Sequence, residues 1–138
     1  MLRMAVCISA FVTAASVALS AAASTPHGPP FAFGGVGPHG AYTVSIAADG
    51  SVHATGDEGL IRTASQLLPS RLVAIDRSAT LARFGGFPNL KRCPGATARS
   101  ATWIRIGSKK VTVVGTCLPA YQRLWKALVA ATGLYSGG

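Results

Sequence analysis

The chain is poor in acidic residues, with four Asp and Glu among 138 residues against 13 Lys and Arg, so its formal net charge is +9. Few carboxyl groups are therefore available to form a converging catalytic pair. Asp49 belongs to an Asp-Gly turn, and the adjacent pair Asp57 and Glu58 falls where no strand or helix pattern is evident. The composition predicts a protein that is not an enzyme and whose positive charge favours anionic partners.

Histidine and cysteine are also scarce, with three of each. His53 is the one histidine in a region predicted to be ordered, and no Gly-x-Ser-x-Gly motif accompanies it. A Cys-x-x-Cys pair is missing, and the cysteines lack nearby histidine or acidic ligands, so neither a redox dithiol nor a metal site is predicted. The sequence predicts no cofactor. A small hydrolase built on His53 and Asp57 is the least favoured function.

The first 23 residues are typical of a secretory signal peptide. Arg3 precedes an uncharged, alanine-rich run that ends in three consecutive alanines, which predicts cleavage near Ala23 and a secreted or extracytoplasmic protein. Retention as a membrane anchor is the alternative, because uncharged residues continue to His27. Alanine, serine and threonine dominate this run, and that composition disfavours a stable transmembrane span.

Export decides which cysteines remain. Cleavage would remove Cys7 and leave Cys93 and Cys117, which lie just before and just after a predicted hairpin. An oxidising compartment allows these two to pair, so a disulfide is predicted. Such a bond stabilises a small domain by about 3 to 4 kcal/mol in the chain-entropy model.

The exported portion divides into two parts. Residues 24–40 read STPHGPPFAFGGVGPHG, and this glycine and proline content disfavours both helix and sheet, so a flexible leader is predicted. The letters of 35–40 match a dinucleotide-binding glycine pattern, but the required preceding strand and following helix are not predicted. Residues 41–138 have the size of a single globular domain.

Alternating apolar residues predict two hairpins in that domain. In the first, a three-residue loop with Gly50 in the left-handed conformation places Ile46 opposite Val52, so that one face is apolar. The outer face then carries Thr43, Ser45, His53 and Thr55. The second hairpin turns at 107–108, and the segment before it, 88–100, is predicted to be a loop.

Helical periodicity and Leu-Pro dipeptides predict helices at about 69–83 and 119–132, the second ending at Gly133 with an apolar contact from Leu134. The order β-β-α-β-β-α predicts an α+β fold. Its simplest packing is a four-stranded antiparallel sheet with two helices on one face, leaving the other face open to solvent.

The second hairpin also suggests a binding surface. A two-residue turn sets Arg105 opposite Lys110 with Trp103 on the same face, and like charges opposite each other cost stability unless an anionic partner is present. Trp103 would serve as a stacking platform. The candidate binding residues are Lys91, Arg92, Trp103, Arg105, Lys109 and Lys110.

Several motifs together resemble a known type of protein. A Tyr-x-Val-x-Ile strand with an Asp-Gly turn, a Leu-Pro-led helix, Cys-Pro-Gly, a strand pair ending in Gly-Thr-Cys and a closing helix span 41–134. This order resembles small uncharacterised secreted or lipoprotein-like bacterial domains of hairpin-helix, hairpin-helix type. The resemblance implies export and that element order, and it brings no assigned activity or catalytic residues.

The sequence thus favours an exported, non-enzymatic binding domain. Its partner would be an anionic polymer of the cell envelope, or a secreted or envelope protein, that contacts the basic hairpin and the open sheet face. Nucleic acid is an unlikely partner, since export removes the protein from most of it. The alternative is a secreted inhibitor of a hydrolase, of the protease-inhibitor type, that inserts the disulfide-framed loop 91–100 into its target.

Overall fold

The computed structural model describes residues 30–37, 40–56 and 63–134, and the predicted signal peptide lies outside them. The predicted α+β class is confirmed. The described strands and helices are β1 Phe31–Gly37, β2 Gly40–Ile46, β3 Val52–Gly56, α1 Pro69–Leu81, β4 Leu90–Arg92, β5 Ala101–Ile106, β6 Lys109–Val114 and α2 Pro119–Thr132.

The strands form one mixed sheet in the order β3-β2-β1-β5-β6-β4. Every pairing is antiparallel except that of β4 with β6, which is parallel. The predicted four-stranded antiparallel sheet is therefore wrong in strand number and in the direction of one pairing. Both predicted hairpins are present, but β1 lies between them and β4 is added beside the second.

The strand β1 corrects the prediction of a flexible leader at 24–40 for the part of it that the strand occupies. Phe31 and Phe33 alternate along β1 and are 2% and 0% exposed, so the strand contributes two large side chains to the core. β2 and β5 pair with it on its two sides and satisfy its backbone groups. The domain therefore begins at least ten residues before Ala41.

The short strand β4 replaces part of the predicted loop 88–100. Its pairing with β6 continues at both ends, because the backbone amide of Thr112 donates to the Asn89 carbonyl at 2.8 Å and the backbone amide of Cys93 donates to the Val114 carbonyl at 2.8 Å. The predicted disulfide between Cys93 and Cys117 is confirmed, with Cα atoms 5.6 Å apart. It joins the residues that follow β4 and β6.

The two helices cover one face of the sheet. Apolar residues of both helices share a single buried cluster with the inward side chains of the sheet, including Phe33, Val44, Ile104 and Val113. The opposite sheet face is not part of that cluster. We call the two sides the covered face and the open face.

The hairpin registers follow the predictions. Ile46 pairs with Val52, Gly50 has φ of +90°, and Arg105 pairs with Lys110. The helix α2 ends in a Schellman motif, since Gly133 has φ of +66° and Leu134 donates to the Val129 carbonyl at 3.1 Å.

The helix α1 ends at Leu81, two residues before its predicted end. Arg83 has φ of +54°, which takes the chain out of the helix and into a 3₁₀ turn at Phe84–Gly86. Phe84 and Phe87 fold back onto the core, with ring centroids 6.0 Å apart, and Phe87 also contacts Tyr121 edge-on. This turn lies against the covered face.

Candidate ligand-binding face

The open face presents polar side chains in rows that cross the sheet. Residues paired in register lie on the same face, so two rows can be traced from one strand to the next. The first row runs His53, Ser45, Ala32, Arg105, Lys110. The second runs Thr55, Thr43, Gly34, Trp103, Thr112.

Trp103 lies between Gly34 and Thr112 in the second row. It is half-buried, and its indole lies against Gly34 of β1, where a Cβ atom would come within 2.9 Å of Cε2 and Cζ2. The absence of a side chain at Gly34 therefore makes room for the indole. Any residue larger than glycine there would displace Trp103 or the backbone of β2, whose Tyr42 carbonyl is close on the same side.

Two cations flank this indole. The Lys110 Nζ atom lies 4.6 Å from the centroid of the Trp103 ring, and the Arg105 Cζ atom lies 5.8 Å from it. Both side chains are exposed. At an exposed site such cation–π contacts contribute about 0.5 to 1 kcal/mol each, enough to bias the positions of two long side chains while leaving them free to reach a ligand.

Hydroxyl groups surround this charged centre. Thr43, Thr55 and Thr112 share the row of Trp103, and Ser45 lies in the row of Arg105. Within the described residues, the one hydrogen bond from these four hydroxyls is that of Ser45 to the His53 carbonyl, at 3.4 Å. The other three hydroxyls are available to a ligand or to water.

The open face carries no carboxylate among the residues that the structure describes. Asp49 lies in the loop between β2 and β3, and Asp76 lies on α1. Asp49 accepts hydrogen bonds from the Ser51 backbone and hydroxyl at 2.9 and 2.8 Å, and these bonds lower the pKa of its carboxyl group. The face is thus positive, without a described acidic neighbour to neutralise it.

Lys109 lies apart from the other candidate binding residues of its hairpin. It pairs with Ile106 on the covered side of the sheet. Its ammonium group donates to the Gly85 carbonyl at 2.9 Å and to the Phe87 carbonyl at 2.7 Å. The structure therefore brings together Trp103, Arg105 and Lys110, and it places Lys109 as a tie between β6 and the 3₁₀ turn.

Lys91 and Arg92 occupy the edge strand β4. Register places Arg92 beside Val114 on the open face and Lys91 beside Val113 on the opposite side. Val114 is four residues beyond Lys110 on β6, so Arg92 lies roughly 13 Å from that lysine along the strand direction. Arg92 extends the positive face at its margin, whereas Lys91 protects the edge of the sheet.

The disulfide frames a short surface loop after β4. Backbone bonds at Cys93–Ala96 and Thr97–Ser100 fold it into two tight turns, and the loop lines an open depression of about 480 Å³ together with Gly115 and Thr116. Cys117 is exposed, whereas Cys93 is nearly buried. The predicted insertion loop 91–100 is thereby shortened, because its first two residues belong to β4.

His53 lies exposed on the open face, in register with Ser45. The Ser45 hydroxyl contacts the backbone carbonyl of His53 and not the imidazole. The predicted partner Asp57 lies outside the described residues. Within the described part of the chain, no hydrogen bond joins the Ser45 hydroxyl to the imidazole of His53.

Tyr121 is buried and Tyr42 is half-buried on the covered side of the sheet. The Tyr121 hydroxyl shares a hydrogen bond of 3.0 Å with Thr102, and burial raises the pKa of Tyr121 to about 12 against the opposing effect of that bond. Burial also raises the pKa of Tyr42. Both groups belong to the core and not to the open face.

Among residues 30–37, 40–56 and 63–134, His, Cys, Asp and Glu side chains form no cluster of three or more that could hold a metal ion. Neither α1 nor α2, the helices of the described chain, has the length and apolar composition needed to cross a bilayer.

Comparison of the chain with models of protein families, with curated proteins and with solved structures finds no match. The resemblance to small secreted bacterial domains therefore stays a prediction.

The glycine and the hydroxyl residues of the open face were not among the predicted site residues: Gly34, Thr43, Ser45, Thr55 and Thr112. Thr43 and Thr112 were detectable, because the alternation that buries Val44 and Val111 sends their neighbours outward. Gly34 was hidden within a segment that local composition assigned to a leader. Its role follows from Trp103, which is distant in sequence, so no local pattern could identify it.

Proposed function

We propose that this protein is an exported binding module and not an enzyme, and that its open sheet face holds an anionic polymer of the cell envelope. The observation that carries the proposal is the arrangement of Arg105 and Lys110 around Trp103, which sits on a face without a described carboxylate. A partner that brings negative charge relieves the repulsion between these two paired cations.

The charge of the whole chain supports the same conclusion. The formal net charge is +9, or +8 once cleavage removes Arg3, and it draws polyanions toward the protein over distances of about one Debye length, roughly 8 Å at physiological salt. The open face then fixes the position of contact, because its cations are held by an indole and its hydroxyls point the same way. Binding should weaken as salt rises.

The inhibitor alternative receives less support. Its loop would need to present Lys91 and Arg92 as an insert, but both are held in β4. The hydrolase alternative has no described acid beside His53. The open face is therefore the surface on which the proposed function rests.

The test compares two double variants that remove equal charge. Arg105→Ala with Lys110→Ala clears the open face, whereas Arg77→Ala with Lys126→Ala removes two exposed cations from the helices. Binding of the purified protein to hyaluronate, polyglutamate and polyphosphate is measured by titration at low and physiological salt. We expect the first variant to lose about tenfold in affinity, or 1.4 kcal/mol, and the second to lose much less.

Equal losses in the two variants would show that total charge, and not the open face, drives binding. Failure of the unmodified protein to bind any of the three polymers at low salt would overturn the proposal. Circular dichroism of both variants checks that their fold is retained.

A further inference from the structure

The open face combines sparse charge, hydroxyl groups and one aromatic ring. We propose that its ligand is an acidic polysaccharide, in which acid groups recur at intervals among neutral hydroxylated rings. This inference rests on the proposed function and names its ligand class. Three features of the face support it.

The first feature is the spacing of the cations. Arg105 and Lys110 form one adjacent pair, and Arg92 lies roughly 13 Å from Lys110 along the strands. Arg99 lines a depression with Val36, which is four residues along β1 from Ala32. Polyphosphate and nucleic acids carry a charge on every repeating unit, and proteins that bind them line the track with cations. A ligand matched to this face carries charge at wider intervals.

The second feature is the row of hydroxyls beside the charged pair. Thr43, Thr55 and Thr112 lie in the same row as Trp103, and none of their hydroxyls is engaged by another described residue. A hydroxyl both donates and accepts a hydrogen bond. Such side chains are matched by the neutral hydroxyl groups of a sugar chain, whereas polyphosphate offers acceptors only.

The third feature is that the Lys110 ammonium covers the Trp103 ring. The Lys110 ammonium lies 4.6 Å from the ring centroid, in a contact of about 0.5 to 1 kcal/mol at an exposed site. A hydrogen bond to a charged group contributes about 1.5 to 3 kcal/mol, so a ligand carboxylate can draw the ammonium away from the indole. The uncovered indole can then pack against the apolar face of a sugar ring.

This exchange couples charge to stacking. A neutral sugar chain cannot displace Lys110 from the ring, and a ringless polyanion gains nothing from the indole once it is uncovered. An acidic sugar chain gains from both steps. The preference for acid groups should therefore depend on Lys110, and the preference for rings should depend on Trp103.

The experiment uses four polymers as probes: hyaluronate as the acidic glycan, dextran as the neutral glycan, polyglutamate as the ringless polyanion and oligo-dT as a polyanion with stacking bases. Trp103→Leu keeps an apolar side chain over Gly34 and removes the aromatic ring. We expect it to weaken hyaluronate binding about tenfold, the size of a stacking contact, and polyglutamate binding less than about twofold.

Two more variants sharpen the assignment. Thr43→Val removes a hydroxyl at constant shape and should weaken hyaluronate about threefold, the size of one hydrogen bond, without affecting polyglutamate. Lys110→Ala uncovers the ring, so it should weaken hyaluronate while strengthening dextran, and the ratio of their affinities should fall. Lys109→Ala, whose ammonium lies on the covered side, is the matched control and should leave that ratio unchanged.

Tryptophan fluorescence reports the contact directly. The chain has two tryptophans, and Trp125 packs edge-on against Phe33 in the core with ring centroids 5.3 Å apart. In a Trp125→Phe background, emission comes from Trp103 alone. We expect the two polymers to shift that emission in opposite directions, because polyglutamate draws Lys110 away and exposes the indole to water, whereas hyaluronate covers the indole with a sugar ring.

The outcomes separate this inference from the proposed function. Equal effects of Trp103→Leu on hyaluronate and polyglutamate would overturn the glycan assignment and leave polyanion binding intact. Tighter binding of oligo-dT than of hyaluronate would assign the ring to bases and would also overturn it. Binding of dextran as tight as hyaluronate would overturn both proposals, because charge would then play no part.

Discussion

Lys109 and Lys110 are neighbours in the chain, yet they serve opposite faces of the sheet. Lys109 donates to two backbone carbonyls on the covered side, whereas Lys110 lies over an exposed indole on the open side. The alternation of a strand separates them. The positive charge of this protein therefore has two roles: some cations stabilise the fold, and others lie on a surface that a ligand can reach.

The two faces also differ in what holds their side chains. On the covered face, apolar groups pack at 0% to 9% exposure and have single positions. On the open face, contacts between Trp103 and its two cations are few and exposed. Substitutions on the covered face should therefore change the free energy of unfolding, and substitutions on the open face should change ligand binding.

Among substitutions on the two faces, the largest expected change in the free energy of unfolding is at Phe33. It is fully buried in the central strand, and Phe33→Ala should lower the free energy of unfolding by about 3 to 5 kcal/mol, because it leaves a cavity between sheet and helices. Urea denaturation measures the change. Val36→Ala is the matched control, since Val36 lies on the same strand, is 49% exposed, and should cost about 0.5 kcal/mol or less.

A small effect of Phe33→Ala would contradict the placement of β1 at the centre of the sheet. Residues 24–40 would then be a flexible leader, as composition predicts. Gly34 would no longer lie beneath Trp103 on the open face.

The disulfide should come next in size. Replacing Cys93 and Cys117 by Ser opens a loop spanning 24 residues of separation and should cost about 3 to 4 kcal/mol. β4 pairs with β6 over three residues, so its backbone amides should lose protection from hydrogen exchange before those of β5. A reductant should have little further effect on the double variant. Loss of protection in β5 as early as in β4 would show that the bond supports the whole sheet.

Much of the covered face was predictable, because the sequence patterns that determine it lie within single hairpins and helices. Period-two alternation and the loop with Gly50 set the register of the first hairpin, and the apolar stripe with Gly133 set the second helix. Arg105, Lys110 and Trp103 were placed together for the same reason. These features depend on residues within one turn or one hairpin of each other.

The features that the sequence did not predict correctly, β1, Gly34 and Lys109, depend on residues that are distant in the chain. The glycines of β1 suggest an unstructured segment when taken alone, and its pairing depends on β5, whose partner residues lie about 70 positions away. Gly34 is tolerated because Trp103 fills the space above it. Lys109 was grouped with Lys110 because its carbonyl partners are 22 and 24 residues distant, beyond the reach of a pattern within one strand.

Substitutions of Lys109 and Lys110 should differ in their effect on the free energy of unfolding, by less than the two changes above. Lys109→Ala removes a charged donor from two carbonyls and should lower the free energy of unfolding by about 1 to 2 kcal/mol, a value reduced because the side chain is partly exposed. Lys110→Ala should change it by less than about 0.5 kcal/mol. Urea denaturation of both variants gives the difference. Equal stabilities would remove the distinction between the two lysines.

The smallest expected loss at neutral pH is that of Tyr121→Phe, and Tyr121 also gives the covered face a pH dependence. Burial raises the pKa of Tyr121 to about 12 from the ordinary value near 10, so the folded state holds this proton more tightly than the unfolded state. Its contribution to stability is fully present below pH 10 and is lost as pH rises toward 12. Tyr121→Phe should lose about 1 kcal/mol at pH 7, because Thr102 loses its partner.

The same variant should unfold less steeply with pH between 10 and 12, which urea titrations at several pH values will show. Tyr42, whose pKa burial also raises, is present in both proteins, so the difference between them reports the removal of Tyr121. Parallel pH curves for the two proteins would mean that the hydroxyl is hydrated and that the covered face admits water beside Thr102. A steeper loss in the unmodified protein would confirm that this face is dry where the open face is wet.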